Sequence, residues 1–232
     1  MKKLFVLLIM QLISYSAWSQ TMNIHYKNGQ TVKYNMDNID YVEFTEKKQN
    51  NTQVSSEKAV DLGLSVKWAS YNVGAESPEQ FGDMYAWGET SPKDKYKKEN
   101  YLYYDSNTES YYDIGLDIKG TDYDVAHVKW GGKWRMPTLD ELKELKEYCD
   151  WEWGQYNGVN GYIVTGPNGN SIFLPSSGNS SICLWASHIS KGRDEGGNSK
   201  MAACFGIKYD SIGNTVGRER YAGNYIRPVT PR

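Results

Sequence analysis

From residue 20 onward, short stretches of this chain alternate apolar and polar positions with period two, the pattern of half-buried strands. Ile24 and Tyr26 alternate with polar neighbours, Asn28-Gly29 supplies a hairpin turn, and Val32, Tyr34 and Met36 alternate on the return. Asp37-Asn38 forms a second turn before a third strand at 39–44. This predicts a small β-meander over 20–45, too small to bury a core alone. A polar stretch without periodicity, 46–58, reads as a linker. The main domain, 59–232, begins with strand, turn and strand over 60–69 and a further strand at 83–88. Helical signals follow. Thr121 offers an N-cap for a helix over 122–129, with Asp122 and Asp124 near its positive end. Thr138 and Glu141 form a Thr-x-x-Glu capping box for a helix over 139–149, whose Leu142, Leu145 and Cys149 share one face. Trp151 and Trp153 alternate after it. Strands then dominate: 161–165, a turn at Pro167-Asn168-Gly169-Asn170, 171–175, 184–187, 201–209 and 225–230. Helices early and strands late predict an α+β domain.

The first residues change the compartment. Lys2 and Lys3 precede an apolar run of about ten residues, half of the roughly 20 that a membrane span needs. Ala17 and Ser19 give a small-x-small cleavage site, so 1–19 is expected to be a signal peptide and the protein to be exported to periplasm, cell surface or medium. No cysteine follows the site, which disfavours a lipoprotein, and no later segment is apolar enough to span. Without Lys2 and Lys3 the chain has 24 basic and 28 acidic side chains, a formal charge of −4, against a nucleic-acid partner. Export permits a disulfide; Cys183 and Cys204, both in apolar runs, are the candidate pair, and three buried small hydrophobes including Cys149 are the alternative.

Two clusters could carry binding. Tyr101, Tyr103, Tyr104, Tyr111 and Tyr112, with Tyr96 and nearby Ser and Asn, match the composition of binding loops, or of a long loop folded back on its own domain. Asn198, Arg218, Tyr221 and Asn224, with Tyr209, Asn214, Arg220 and Tyr225, surround the last strands, as ligand contacts or as solvated hairpins. Catalytic patterns are missing. His25, His127 and His188 are isolated in sequence, and there is no His-Glu-x-x-His, Gly-x-Ser-x-Gly or phosphate loop. Asp140, Glu141 and Glu144 fit a helix start better than acid–base work. No cofactor or metal is expected. In Gly131-Gly132-Lys133-Trp134-Arg135-Met136-Pro137-Thr138, Trp134 and Met136 are expected to pack on one side, Arg135 to meet a carboxylate and Pro137 to set the helix entry.

Several segments together resemble the Fibrobacter succinogenes major paralogous domain family. They are Asp61-Leu62-Gly63-Leu64-Ser65-Val66-Lys67-Trp68-Ala69 with Asn72-Val73-Gly74, and Tyr85-Ala86-Trp87-Gly88-Glu89. Asp124-Val125-Ala126, the stretch from Gly131 to Leu142, the stretch from Gly166 to Pro175, and Arg227-Pro228-Val229 complete the set. The resemblance implies a C-type-lectin-like fold, two helices around twisted antiparallel strands with long loops on one face, and export or surface display. It implies no established activity. Sugar-binding relatives of that fold use Glu-Pro-Asn or Gln-Pro-Asp with Trp-Asn-Asp. These tripeptides are missing, which leaves only Asp194, Glu195 and Asn198 as calcium candidates against a solvated loop. Formylglycine-generating relatives use two closely spaced cysteines near the C-terminus, a pattern not present. The expectation is a non-catalytic module that binds a glycan or protein. A structural or accessory subunit of an envelope or surface-filament assembly, with the meander docking on a protein partner, is the alternative; an enzyme ranks below both.

Overall fold

The computed structural model describes residues 21–25, 31–38, 58–176, 182–190, 199–208 and 211–232. The expected signal peptide, Asn28-Gly29 turn and third meander strand, most of the expected linker, Asp194, Glu195, Asn198 and Tyr209 lie outside them. The chain divides into two units, Met1–Asn50 and Asn51–Arg232.

In the first unit β1 (Thr21–His25) and β2 (Thr31–Asn35) pair antiparallel, Met22 opposite Tyr34 and Ile24 opposite Val32. Period-two alternation puts these four on one face. Ile24, Val32 and Tyr34 are exposed there, so this apolar face is uncovered among the described residues of the unit. A 3-10 turn, Met36–Asn38, follows at the expected place, with Asn35 Oδ1 accepting from the Asp37 N–H at 3.0 Å.

The second unit is mixed and strand-rich, with two helices and several antiparallel sheets among the described residues. β3 (Ala59–Asp61), β4 (Val66–Ala69) and β13 (Val229–Pro231) form one sheet in the order β13-β4-β3. β7 (Asp150–Tyr156), β8 (Val159–Thr165) and β9 (Ser171–Pro175) form a meander. β10 (Ile182–Ile189), β11 (Met201–Lys208) and β12 (Ser211–Glu219) form a third sheet. β5 (Tyr104–Asp105) and β6 (Ser110–Tyr111) make a short hairpin.

Alternation along β10 and β11 divides the core in two. Ile182, Leu184, Ala186, Ala203, Phe205 and Ile207 pack with β8, β9 and Leu142 and Leu145 of α2 (Leu139–Tyr148). Cys183, Trp185, Ile189, Ala202 and Cys204 pack on the other side with Tyr85, Trp87 and α1 (Val125–Trp130). A sheet buried on both faces reads as a nearly continuous apolar run, as 182–186 does.

The capping box at α2 forms as expected: Thr138 Oγ1 accepts from the Glu141 N–H at 3.2 Å, and Glu141 Oε2 from the Thr138 N–H at 2.8 Å. α1 differs from its sequence reading. It starts later, at Val125, and its N-cap is Asp124 rather than Thr121. Asp124 is fully buried and accepts four backbone N–H bonds, from Gly120, Ala126, His127 and Met136, at 2.8–3.1 Å. Burial pushes its carboxyl up, against the pull of those donors.

The motif at 131–138 is a junction. Met136 N–H bonds Asp124, Arg135 exchanges both backbone hydrogen bonds with Val229, and Pro137 O accepts from the Ser187 N–H. The Arg135 guanidinium grips Glu141 with two bonds, 2.9 and 2.6 Å. Met136 is buried, but Trp134 is not a core partner to it: it stays half-exposed, edge-to-face with Trp130 at 4.9 Å. The 167–170 turn is equally specific, since Asn168 and Asn170 both donate side-chain bonds to Asp61 O, at 2.8 and 2.9 Å. Two strand readings change. Residues 83–88 form only a single bridge, Tyr85 with Asn224, and 225–230 contracts to β13. β12 was not expected at all.

Candidate functional site

The tyrosine-rich segment folds onto the domain as a stack of rings. Tyr101 meets Tyr103 edge-on at 5.6 Å, Tyr103 meets Tyr123 at 5.4 Å, and Tyr104 lies 5.1 Å from Tyr111 across the β5–β6 hairpin. Offset and T-shaped contacts are the favourable aromatic geometries. Asp105 closes the hairpin by accepting from the Asn107 N–H at 2.8 Å.

Tyr101 is the root of this stack, not part of a ligand face. It is 3% exposed; its hydroxyl donates to Trp87 O at 2.6 Å and accepts from Arg220 Nε at 3.0 Å. Burial raises its phenol well above the ordinary tyrosine value. Arg220, named among the candidate ligand contacts, is likewise inside. Its guanidinium carbon lies 5.0 Å from the Trp87 ring centre and 5.6 Å from those of Tyr101 and Tyr111. Nη1 donates to Tyr112 O at 3.1 Å and Ser199 O at 3.3 Å, and Nη2 has no partner among the described residues. No carboxylate among those residues pairs with it; carbonyls and ring faces hold the charge. Buried Glu89 fixes the start of the segment, taking Lys93 Nζ at 2.7 Å and the Leu102 N–H at 2.8 Å.

On the outside of this root lies a polar aromatic patch. Tyr104 and Tyr111 are half-exposed, Tyr112 is exposed, and Lys98 Nζ sits 4.4 Å over the Tyr104 ring. Tyr221 joins them: it hydrogen-bonds Glu219, which pushes its phenol up to about 12, and it feels Tyr111 electrostatically. Glu219 and Lys98 also act on Tyr111, whose phenol is raised chiefly by burial. The patch thus unites both sequence clusters through Tyr104, Tyr111 and Tyr221, and adds Lys98 and Glu219. Neither was singled out; Glu219 belongs to the strand that the sequence reading missed.

The other candidates lie elsewhere. Asn224 is buried, its backbone bridged to Tyr85. Arg218 turns to Cys183, donating to Sγ at 3.4 Å. The thiols of Cys183 and Cys204 touch by a hydrogen bond, which with Arg218 lowers Cys183, while burial and the partner sulfur raise Cys204. All three cysteines are free thiols. The register places Cys183 opposite Gly206 and Cys204 opposite Trp185, so the two are diagonal neighbours, wider apart than a directly opposed pair.

His188 is isolated in sequence but not in space. Its Nε2 lies 3.2 Å from Asp117 Oδ2 and its Nδ1 3.3 Å from Ser187 Oγ. Burial alone would raise Asp117; bonds from Ser187 and Lys119 outweigh it and hold the carboxyl low. Ser187 is fully buried, so this Ser-His-Asp contact gives an incoming substrate no nucleophile.

No family model, curated protein or solved structure matches this chain. Among the described residues no group of three or more His, Cys, Asp or Glu is placed to hold a metal ion, and no helix is long and apolar enough to cross a membrane.

Proposed function

We propose that this chain is an exported, non-catalytic binding module of the C-type-lectin-like kind, akin to the Fibrobacter succinogenes major paralogous domains, and that it recognises a glycan. The observation that carries this reading is the patch of Tyr104, Tyr111 and Tyr221 with Lys98 and Glu219. Ring faces stack on the apolar face of a sugar, and the carboxylate, ammonium and phenols bond its hydroxyls. Tyr111, held against Arg220, and Tyr104, packed on Tyr111, lose little freedom on binding, so less of the interaction is spent on ordering.

The test is a glycan array, with a cell-lysate pull-down alongside, using the chain without its leader, with and without calcium. Dose-dependent glycan binding lost in Tyr104→Ala and Tyr221→Ala supports the reading. A blank array with folded, monodisperse protein refutes it, and protein capture alone moves the assignment to a protein ligand. The face on which Ile24, Val32 and Tyr34 are exposed favours one second reading, an accessory subunit of an envelope or filament assembly that docks through its β1–β2 hairpin. A fixed envelope partner lost on deleting 20–45 would establish it.

A further inference from the structure

A second aromatic site lies away from the tyrosine patch and is independent of that reading. Trp130 ends α1, and Gly131 and Gly132, both at positive φ, turn the chain so that Trp134 returns against it. The two indoles stand at 87° with centres 4.9 Å apart, and Tyr71 buttresses Trp130 edge-on at 5.5 Å. Both indoles remain half-exposed. The Lys58 ammonium sits in the angle between them, 4.1 Å from the Trp130 ring centre and 5.8 Å from that of Trp134. Among the described residues no carboxylate pairs with Lys58 or lines this corner as its partner. Perpendicular tryptophan faces around a cation, without a counter-ion, are the geometry that recognises organic ammonium groups rather than hydrated metal ions.

Lys58 is a weak tenant. Its side chain is exposed, and what fixes the residue is its backbone, whose carbonyl accepts from the Ser70 N–H at 3.2 Å. An exposed cation–π contact is comparable in size to the rotamer entropy that a lysine gives up to make it. A quaternary ammonium has no N–H groups to strip of water and no such chain to order, so it competes well for the same corner.

We propose that the Trp130–Trp134 corner is a binding site for organic ammonium cations, a quaternary amine or a ligand's lysine-type amine, in which Lys58 acts as a displaceable placeholder.

The test titrates tetramethylammonium chloride into the full chain without its leader, against matched sodium chloride, reading the indole N–H signals of Trp130 and Trp134 by NMR. Wild type, Lys58→Ala, Lys58→Gln and Lys58→Ala with Trp134→Leu are compared. We expect binding near the millimolar range, and about twofold tighter in both Lys58 variants, the factor for a resident group that fills the corner roughly half of the time. The double variant should lose the response while keeping the wild-type spectrum elsewhere. Folded Lys58 variants without specific shifts at the two indoles, or with affinity equal to wild type, overturn the proposal. Two substitutions at one exposed position keep the test open if either variant fails to fold.

Discussion

Arg220→Lys tests whether the tyrosine patch and the core are one unit. The substitution keeps the charge and most of the stem but removes the planar fork. Arg220 donates from Nε to Tyr101 and from Nη1 to two carbonyls, Tyr112 O and Ser199 O, at 3.0, 3.1 and 3.3 Å. A lysine ammonium in the same space reaches at most two of these acceptors. Losing one charge-assisted bond to a buried acceptor costs about 1.5–3 kcal/mol. Losing the flat contact with Trp87, Tyr101 and Tyr111 adds about 0.5–2 kcal/mol. The expected total is about 3 kcal/mol. Urea unfolding followed by tryptophan fluorescence should show the midpoint falling by roughly 1 M, with a slope near 3 kcal/mol/M. Affinity for whatever the patch binds should fall as well, because Tyr111 and the Tyr112 backbone lose their anchor. Stability within about 0.5 kcal/mol of wild type, or full destabilisation with unchanged affinity, would refute the coupling.

Asp124→Asn keeps an acceptable N-cap but turns an NH₂ toward the Gly120 and Met136 N–H donors. It should cost about 3–5 kcal/mol in urea unfolding, against a near-neutral change for Asp122→Asn on the exposed side. Gly166→Ala would place its Cβ 2.0 Å from Leu62 O, so a loss of about 2–3 kcal/mol is expected by the same assay; a neutral result would mean that the 61–63 backbone yields. Burial tends to raise Glu141, but bonds from Arg135 and the Thr138 N–H outweigh it and lower it below its usual 4.5. Its contribution is therefore full above pH 4.5 and is lost as pH falls toward the depressed value, so urea midpoints at pH 6 and pH 3.5 should differ less in Glu141→Gln than in wild type. Thiol titration in denaturant should count three free cysteines, and a count of one would instead show a Cys183–Cys204 bridge.

Local chemistry was readable where neighbours in sequence satisfy each other. The Thr138–Glu141 box, the Leu142–Leu145 stripe and the Asn168–Asn170 turn act within a few residues, and each stands where the pattern placed it. The α1 cap was misread because Thr121 and Asp124 are both good caps. What decides for Asp124 is Met136, 12 residues later. β12 was hidden because Gly213 and Gly217 interrupt its alternation and much of it is polar, although pairing with β11 forms it all the same. The tyrosines show the same limit at the site. Tyr101 and Tyr104 have similar sequence surroundings, yet Arg220, 119 residues beyond Tyr101, draws one into the core and leaves the other at the surface.

Arg220 and Arg227 join segments that are distant in the chain from inside the core. Arg227 is fully buried, bonded to Asn72 Oδ1, Ala69 O and Phe173 O at 2.8–3.1 Å, and burial lowers its pKa. Neither arginine meets a carboxylate among the described residues; Arg220 donates to the loop carbonyls of Tyr112 and Ser199, and Arg227 to Ala69 O at the end of β4 and Phe173 O in β9. Buried carbonyls need partners, and one guanidinium supplies several from a single point. Each arginine therefore ties distant segments together without a sheet. In the case of Arg220 the tied segments carry the tyrosine patch, with Tyr221 next to it in the chain. Substitution should therefore cost little stability at half-exposed Tyr104 and exposed Tyr112 and much at buried Arg220, which holds them from beneath through Tyr111 and the Tyr112 backbone.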